Sequence, residues 1–86
     1  MVETLIVQDD RFRLYSIPTT PHEDWINFRV KTVKVGRSKG FRSRLSYNRK
    51  ERRLSENKST KSFRERNPQD LAHVISMIEK LIDNGY

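Results

Sequence analysis

The last part of the chain carries the pattern that most constrains its fold. Residues 67–84 predict a helix, since large aliphatic side chains recur there at helical spacing and form one stripe: Leu71, Val74, Ile75, Ile78, Leu81 and Ile82. Asn67 is placed to cap this helix, Pro68 suits its first position and Gly85 suits its end. Burial of the stripe gains about 12 kcal/mol, and ordering the backbone costs at least as much. The helix must therefore dock on another apolar surface.

Two segments in the middle of the chain supply that surface. In residues 25–35, Ile26, Phe28 and Val30 alternate with polar residues, and in residues 41–47 Leu45 and Tyr47 do the same. Alternation with a period of two is typical of strands that are buried on one face. These strands are expected to pair and to carry the helix on their apolar face.

Shorter patterns complete the predicted sheet. Residues 2–17 are rich in β-branched and aromatic residues on both sides of Asp9-Asp10, which predicts a β-hairpin. Residues 52–56 are expected to add a weak edge strand with Leu54 as its one apolar residue. Residues 57–66, anchored by Phe63 alone, are expected to form a mobile loop. The predicted fold class is α+β: a small antiparallel β-sheet of three to five strands with one C-terminal amphipathic helix packed on one face.

The length of 86 residues predicts a single domain, 1–86. The N-terminus has no basic start, and no apolar run reaches the roughly 18 residues of a membrane span. A cytoplasmic location is expected, or a nuclear one if the source is eukaryotic.

Positive charge is concentrated in the middle of the chain. Residues 29–66, which include most of the basic antiparallel strands at 25–56, hold 15 Lys and Arg against three acids, a net charge of +12. The remaining residues hold three Lys and Arg against eight acids, a net charge of −5. Such segregation is costly through self-repulsion, and it indicates an anionic partner.

The period of two places the cations of the strands opposite their apolar face. Arginine dominates among them, and its guanidinium suits bidentate contacts with phosphate and guanine. The strands and their turns give nine residues that are predicted to bind nucleic acid: Arg29, Lys31, Arg37, Lys39, Arg42, Arg44, Arg49, Lys50 and Arg53.

Binding of DNA is the expected function, with DNA favoured over RNA although the charge fits RNA almost as well. Duplex is preferred because Phe28, Phe41 and Tyr47 are in phase with the core. Trp25 and Tyr15 are the aromatic residues that could face outward.

Two further interpretations stay open. The basic face could dock on a protein partner with an acidic surface, as a small phage-type regulator of a host enzyme would. It could also serve only to keep the sheet soluble. The sequence allows a monomer or a dimer.

Catalysis is not expected. His22 lies in a proline-flanked loop, His73 falls on the polar side of the predicted helix, and neither has metal-ligand spacing. The sequence holds no glycine-rich phosphate cradle and no nucleophile motif, so no cofactor is expected. A membrane surface is not an expected partner, because the polar side of the helix carries mixed charges.

Overall fold

The structure is a computed structural model that describes residues 3–17, 24–33 and 42–86. In this part of the chain, five strands form one antiparallel sheet and two helices follow them. The strands are β1 (Thr4–Gln8), β2 (Phe12–Ser16), β3 (Trp25–Thr32), β4 (Arg42–Asn48) and β5 (Arg53–Leu54), and the helices are α1 (Lys58–Arg66) and α2 (Pro68–Asp83). Each strand pairs with the next one along the chain, in the order β1-β2-β3-β4-β5. The α+β class and the packed C-terminal helix are confirmed.

The predicted N-terminal hairpin is present, and Asp9 closes its turn. One carboxylate oxygen of Asp9 accepts hydrogen bonds from the backbone N–H groups of Arg11 and Phe12, both at 2.8 Å. This is the Asx-type turn that makes aspartate a good turn residue. β1 carries a bulge between Leu5 and Val7, so the side chains of β1 do not follow a single alternation.

The core lies between one face of the sheet and the two helices. β2 contributes Phe12 and Leu14, and the predicted inward residues of β3 and β4 are fully buried: Phe28, Val30, Leu45 and Tyr47. Ile26 packs against the same cluster while remaining partly exposed. We call the face that carries these residues the inner face and the opposite one the outer face.

The strand predicted at 52–56 is shorter than expected, since β5 pairs with β4 only through Tyr47–Leu54 and Asn48–Arg53. The turn before it is tight: Arg52 adopts a positive φ of 57°, and its N–H bonds Asn48 O at 2.8 Å. β3 also ends early, at Thr32, and residues 34 and 35 of the predicted strand lie outside the described residues.

The prediction of a mobile loop at 57–66 is wrong, because this segment forms the helix α1. The side chain of Asn57 caps it by accepting the N–H of Thr60 at 2.9 Å. Thr60 and Phe63, one helical turn apart, are buried against the sheet. Ser59 Oγ accepts the N–H of Arg44 at 3.4 Å, a long contact, so α1 covers the edge of β4 that the short β5 leaves open. The chain therefore ends in two helices and not one.

α2 confirms the predicted C-terminal helix, with two differences. Asn67 stands at the capping position, but its side chain makes no capping hydrogen bond. Met77, which is not in the predicted stripe, is buried together with Leu71, Val74 and Ile78. The remaining residues of the stripe are partly exposed: Ile75, Leu81 and Ile82. Gly85 ends the helix as predicted, at φ +95°. The N–H groups of Gly85 and of the residue after it bond Ile82 O and Leu81 O at 3.0 and 3.2 Å, which is a Schellman motif.

His73 is not on an open polar side of α2. Its Nε2 lies 2.6 Å from Asp9 Oδ2, and its ring packs near Phe12 with 5.8 Å between the ring centroids. Asp70, one turn earlier, pairs with Arg11. These contacts tie α2 to the turn between β1 and β2.

Candidate nucleic-acid interface

The register of the sheet brings cations from three strands into one row on the outer face. Arg13 of β2 lies opposite Lys31 of β3, and Lys31 lies opposite Arg42 of β4. The Cβ atoms of directly opposed residues are about 5 Å apart. The row is therefore a short continuous track of positive charge that crosses three strands.

A second row runs beside the first and mixes apolar, aromatic and cationic side chains. Leu5 lies opposite Tyr15, Tyr15 opposite Arg29, and Arg29 opposite Arg44. Leu5 is 47% exposed and is one of two exposed large hydrophobic residues in the described part of the chain. Together the two rows give the outer face both phosphate-binding groups and surfaces on which a base could stack.

One acidic residue reduces the charge of these rows. Glu3 holds Arg29 Nε at 2.6 Å and Lys31 Nζ at 3.4 Å through its two carboxylate oxygens. The Nε–H of Arg29 makes no aligned hydrogen bond, so the contact with Glu3 is an ion pair without good hydrogen-bond geometry. The side chain of Arg29 is only 16% exposed. Arg44, which lies opposite Arg29 on β4 and is exposed, is therefore the more accessible of these two arginines.

Each of the two outward aromatic side chains, Tyr15 and Trp25, makes a cation–π contact with a basic residue. Lys31 Nζ stands 4.7 Å from the ring centre of Tyr15, and the guanidinium of Arg53 stands 5.5 Å from that of Trp25. Trp25 lies opposite Asn48, and Asn48 lies opposite Arg53. Cation–π contact at these distances orients the side chains, and both rings remain partly exposed.

The remaining predicted residues lie near the β4–β5 end of the sheet or outside the description. Arg49 and Lys50 are exposed in the turn between β4 and β5, where Arg49 N–H bonds Asp24 O at 2.6 Å. Arg53 pairs with Glu51 at 2.7 Å. Arg37 and Lys39 lie outside the described residues.

Ion pairing divides the described cations of the outer face and of the β4–β5 turn into two groups. Arg29, Lys31 and Arg53 each have a carboxylate partner. Within residues 3–17, 24–33 and 42–86, no carboxylate pairs with the other group, which consists of Arg13, Arg42, Arg44, Arg49 and Lys50. These five cations are the ones free to bind an anionic ligand without first breaking an internal pair.

The sequence prediction did not include Arg13, although a signal for it was present. Phe12 and Leu14 alternate with Arg13 and Tyr15, so the rule that was applied to β3 and β4 also predicts Arg13 on the outer face. Cations of α1 were missed because residues 57–66 were interpreted as a loop.

Two carboxylates, those of Asp9 and Glu56, have pKa values below their ordinary values. Partial burial favours the neutral form of Asp9, but the N–H groups of Phe12 and Arg11 and the ring of His73 outweigh it and hold the pKa of Asp9 below its ordinary value. The Arg64 guanidinium binds both oxygens of Glu56, at 2.6 and 2.8 Å. These hydrogen bonds lower the pKa of Glu56. The carboxylates of Asp9 and Glu56 both make contacts within the fold and lie off the outer face.

No helix in the described part of the chain is long and apolar enough to cross a membrane. Comparison with protein-family models, with curated proteins and with solved structures finds no significant match to this chain. The geometry of the outer face is therefore the basis on which a function is inferred.

Proposed function

We propose that this chain is a non-enzymatic protein that binds nucleic acid through the outer face of its sheet. The observation that carries the proposal is the pairing of like charges across strands, Arg29 with Arg44 and Lys31 with Arg42. Like charges directly opposite each other destabilise a sheet. A surface that needed only solubility would mix the signs of its charges. A polyanion would replace this repulsion with attraction at every pair.

The width of the sheet favours a single strand over a duplex as the ligand. Where the two rows cross the sheet, four strands lie side by side, β1 to β4. At about 4.8 Å apart they span about 14 Å, whereas the major groove of B-DNA is about 12 Å wide. A two- or three-stranded ribbon would enter the groove, but a sheet of this width lies across it. The preference for duplex drawn from the sequence depended on buried aromatic residues, and Tyr15 and Trp25 belong to the outer face.

A single strand would use the outer face in two ways. Its phosphates would contact unpaired cations of the two rows, Arg13, Arg42 and Arg44, and its bases would stack near Tyr15 and Trp25. These contacts are common to single-stranded DNA and RNA, so both are ligands of the proposal. A cytoplasmic location, or a nuclear one in a eukaryote, goes with it.

The test is a comparison of three ligands of equal length: single-stranded DNA, single-stranded RNA and duplex DNA, each at several salt concentrations. Five unpaired cations on a single strand predict that log K falls with log[salt] at a slope of about −3.5. Arg42→Ala/Arg44→Ala should make this slope less steep by about 1.4. Lys61→Ala/Lys80→Ala removes the same charge from exposed helical positions and is the matched control.

Each result has a definite meaning. Tighter binding of duplex at every salt concentration contradicts the preference for single strands. Equal losses in the two double variants contradict the outer face as the site. If none of the three ligands binds at 100 mM salt, the proposal fails, and a protein with an acidic surface becomes the partner to seek.

A further inference from the structure

A cleft outside the outer face lies between α1 and the start of β4. It has a volume of about 540 Å³, within the range of about 300–1,000 Å³ that is usual for small-molecule sites. The buried ring of Phe63 lies at its base, 4% exposed. β5 pairs only with Tyr47 and Asn48 of β4, so the start of β4 forms one wall of the cleft and α1 forms the other.

The charged side chains that the described residues contribute to this cleft are all positive. Three cations line it: Arg42, Lys58 and Arg66. None of the described residues that line it is acidic, and in the described ranges none of these three cations pairs with a carboxylate. By contrast, Arg64 on another side of the same helix is held by Glu56. The described residues therefore bring three unpaired positive charges to one solvent-open cleft.

Hydroxyl groups stand among these cations. Three serines line the cleft: Ser43, Ser59 and Ser62. The hydroxyls of Ser43 and Ser59 are 2.9 Å apart and bond each other, which joins the strand wall to the helix wall. Ser59, Ser62 and Arg66 are spaced three and four residues apart, so they lie along one side of α1. Hydroxyl and guanidinium donors that line one cleft suit a ligand with several anionic oxygens.

We propose that this cleft binds a phosphate monoester. A monoester carries a charge of about −1.5 to −2 at neutral pH and three terminal acceptor oxygens, whereas a phosphodiester within a strand carries one charge. Three cations that line one cleft therefore favour the monoester. Arg42 belongs both to the cleft and to the row of cations on the outer face, so the 5′-terminal phosphate of a strand bound there would reach the cleft.

Binding of the 5′-phosphate of a strand rests on the proposed function. A free mononucleotide would bring the same phosphate group to the cleft even if the outer face bound no strand. The experiment has an arm for each source. The first measures binding of one single-stranded oligonucleotide with a 5′-phosphate and with a 5′-hydroxyl. The second titrates adenosine monophosphate, with adenosine as its control, into the isotopically labelled chain and follows the backbone amide signals.

We expect the 5′-phosphate to tighten oligonucleotide binding about tenfold, which corresponds to about 1.4 kcal/mol. Lys58→Gln/Arg66→Gln should abolish that difference while it leaves the affinity for the 5′-hydroxyl strand within about twofold. Lys61→Gln/Lys80→Gln removes equal charge away from the cleft and should keep the tenfold difference. The monophosphate, and not adenosine, should shift the amide signals of Ser59, Ser62 and Arg66.

The two arms separate failure of the cleft from failure of the outer face. If both oligonucleotides bind the native chain equally and the monophosphate shifts no signal of α1, the cleft proposal is overturned while the proposed function stands. If neither oligonucleotide binds but the monophosphate shifts these signals in the native chain and not in Lys58→Gln/Arg66→Gln, the proposed function fails and the cleft is supported as a mononucleotide site. A 5′-phosphate preference that survives in Lys58→Gln/Arg66→Gln places the monoester elsewhere and overturns the cleft.

Discussion

Arg29 and Arg44 lie directly opposite each other on β3 and β4, on the outer face of the sheet. Glu3 pairs with both Arg29 and Lys31, so it cancels only one of their two positive charges. No carboxylate in the described ranges pairs with Arg44. Opposed like charges oppose folding, so this pair connects the stability of the sheet with its capacity to bind an anion.

Replacement of Arg44 should move stability and binding in opposite directions. Arg44→Gln removes the repulsion with Arg29, and the free energy of unfolding should rise by about 0.5 kcal/mol. Affinity for a single strand should fall about three- to tenfold at 100 mM salt, because one phosphate contact is lost. Urea unfolding and fluorescence anisotropy measure the two effects. Lys80→Gln should change neither, and a less stable Arg44→Gln would show that the opposition has no cost.

Trp25 should report binding directly and contribute to it. It is the single tryptophan of the chain, so its fluorescence should be quenched when a base stacks on its ring. Trp25→Leu should weaken single-strand binding by about 1–3 kcal/mol, whereas Trp25→Phe should retain most of the affinity. Unchanged affinity in Trp25→Leu, with the fold intact by circular dichroism, would remove the aromatic part of the proposed interface.

Asp9 should make stability depend on pH in the acid range. Its pKa in the folded chain lies below the ordinary value of 3.8, so the unfolded chain takes up its proton first. The stability it contributes is present above about pH 4 and is lost as the pH falls through the folded value. Asp9→Asn should lower the free energy of unfolding at pH 7 by about 1 kcal/mol and flatten its pH dependence below pH 4.

The neighbouring residue supplies the control for Asp9. Asp10 is exposed in the same turn, and Asp10→Asn should stay within about 0.5 kcal/mol of the native chain. Urea unfolding from pH 3 to pH 7 measures all three proteins. Identical pH profiles for Asp9→Asn and the native chain would contradict the role of the Asp9 carboxylate in the turn.

Phe63 should hold α1 on the sheet. Phe63→Ala removes a buried ring and should lower the free energy of unfolding by about 3 kcal/mol, while Phe63→Leu should cost about 1 kcal/mol. Hydrogen exchange should show lost protection of the amides between 61 and 66 in Phe63→Ala. Lys61→Ala, an exposed change in the same helix, should leave that protection unchanged. If Phe63→Ala matched Lys61→Ala in both measurements, the segment would behave as a loop.

The sequence alone determined which face of each long element is buried. The alternation in β3 and β4 and the stripe in α2 are read from periodicity, and the structure confirms the inward positions of Phe28, Val30, Leu45 and Tyr47. The sequence also determined which cations of β3 and β4 lie on the outer face, because residues one position away from a buried residue point to the other side of the sheet.

Only the tertiary structure decided which cations face each other. Alternation fixes the face of Arg29 and of Arg44 but not their register, which depends on how two distant segments align through packing. The same holds for Glu3, whose pairing with Arg29 and Lys31 joins residues far apart in the chain.

α1 shows the same limit for a whole element. Residues 58–66 bury two side chains, Thr60 and Phe63, too few for a recognisable stripe. Isolated helices of this length are marginal in water, and the helix owes its stability to the open edge of β4 that it covers. The cleft beside it exists because that docking brings Lys58 and Arg66 to the same edge as Arg42. A local pattern determines what a segment can bury, and the surface it finds in the folded chain decides whether and where it does so.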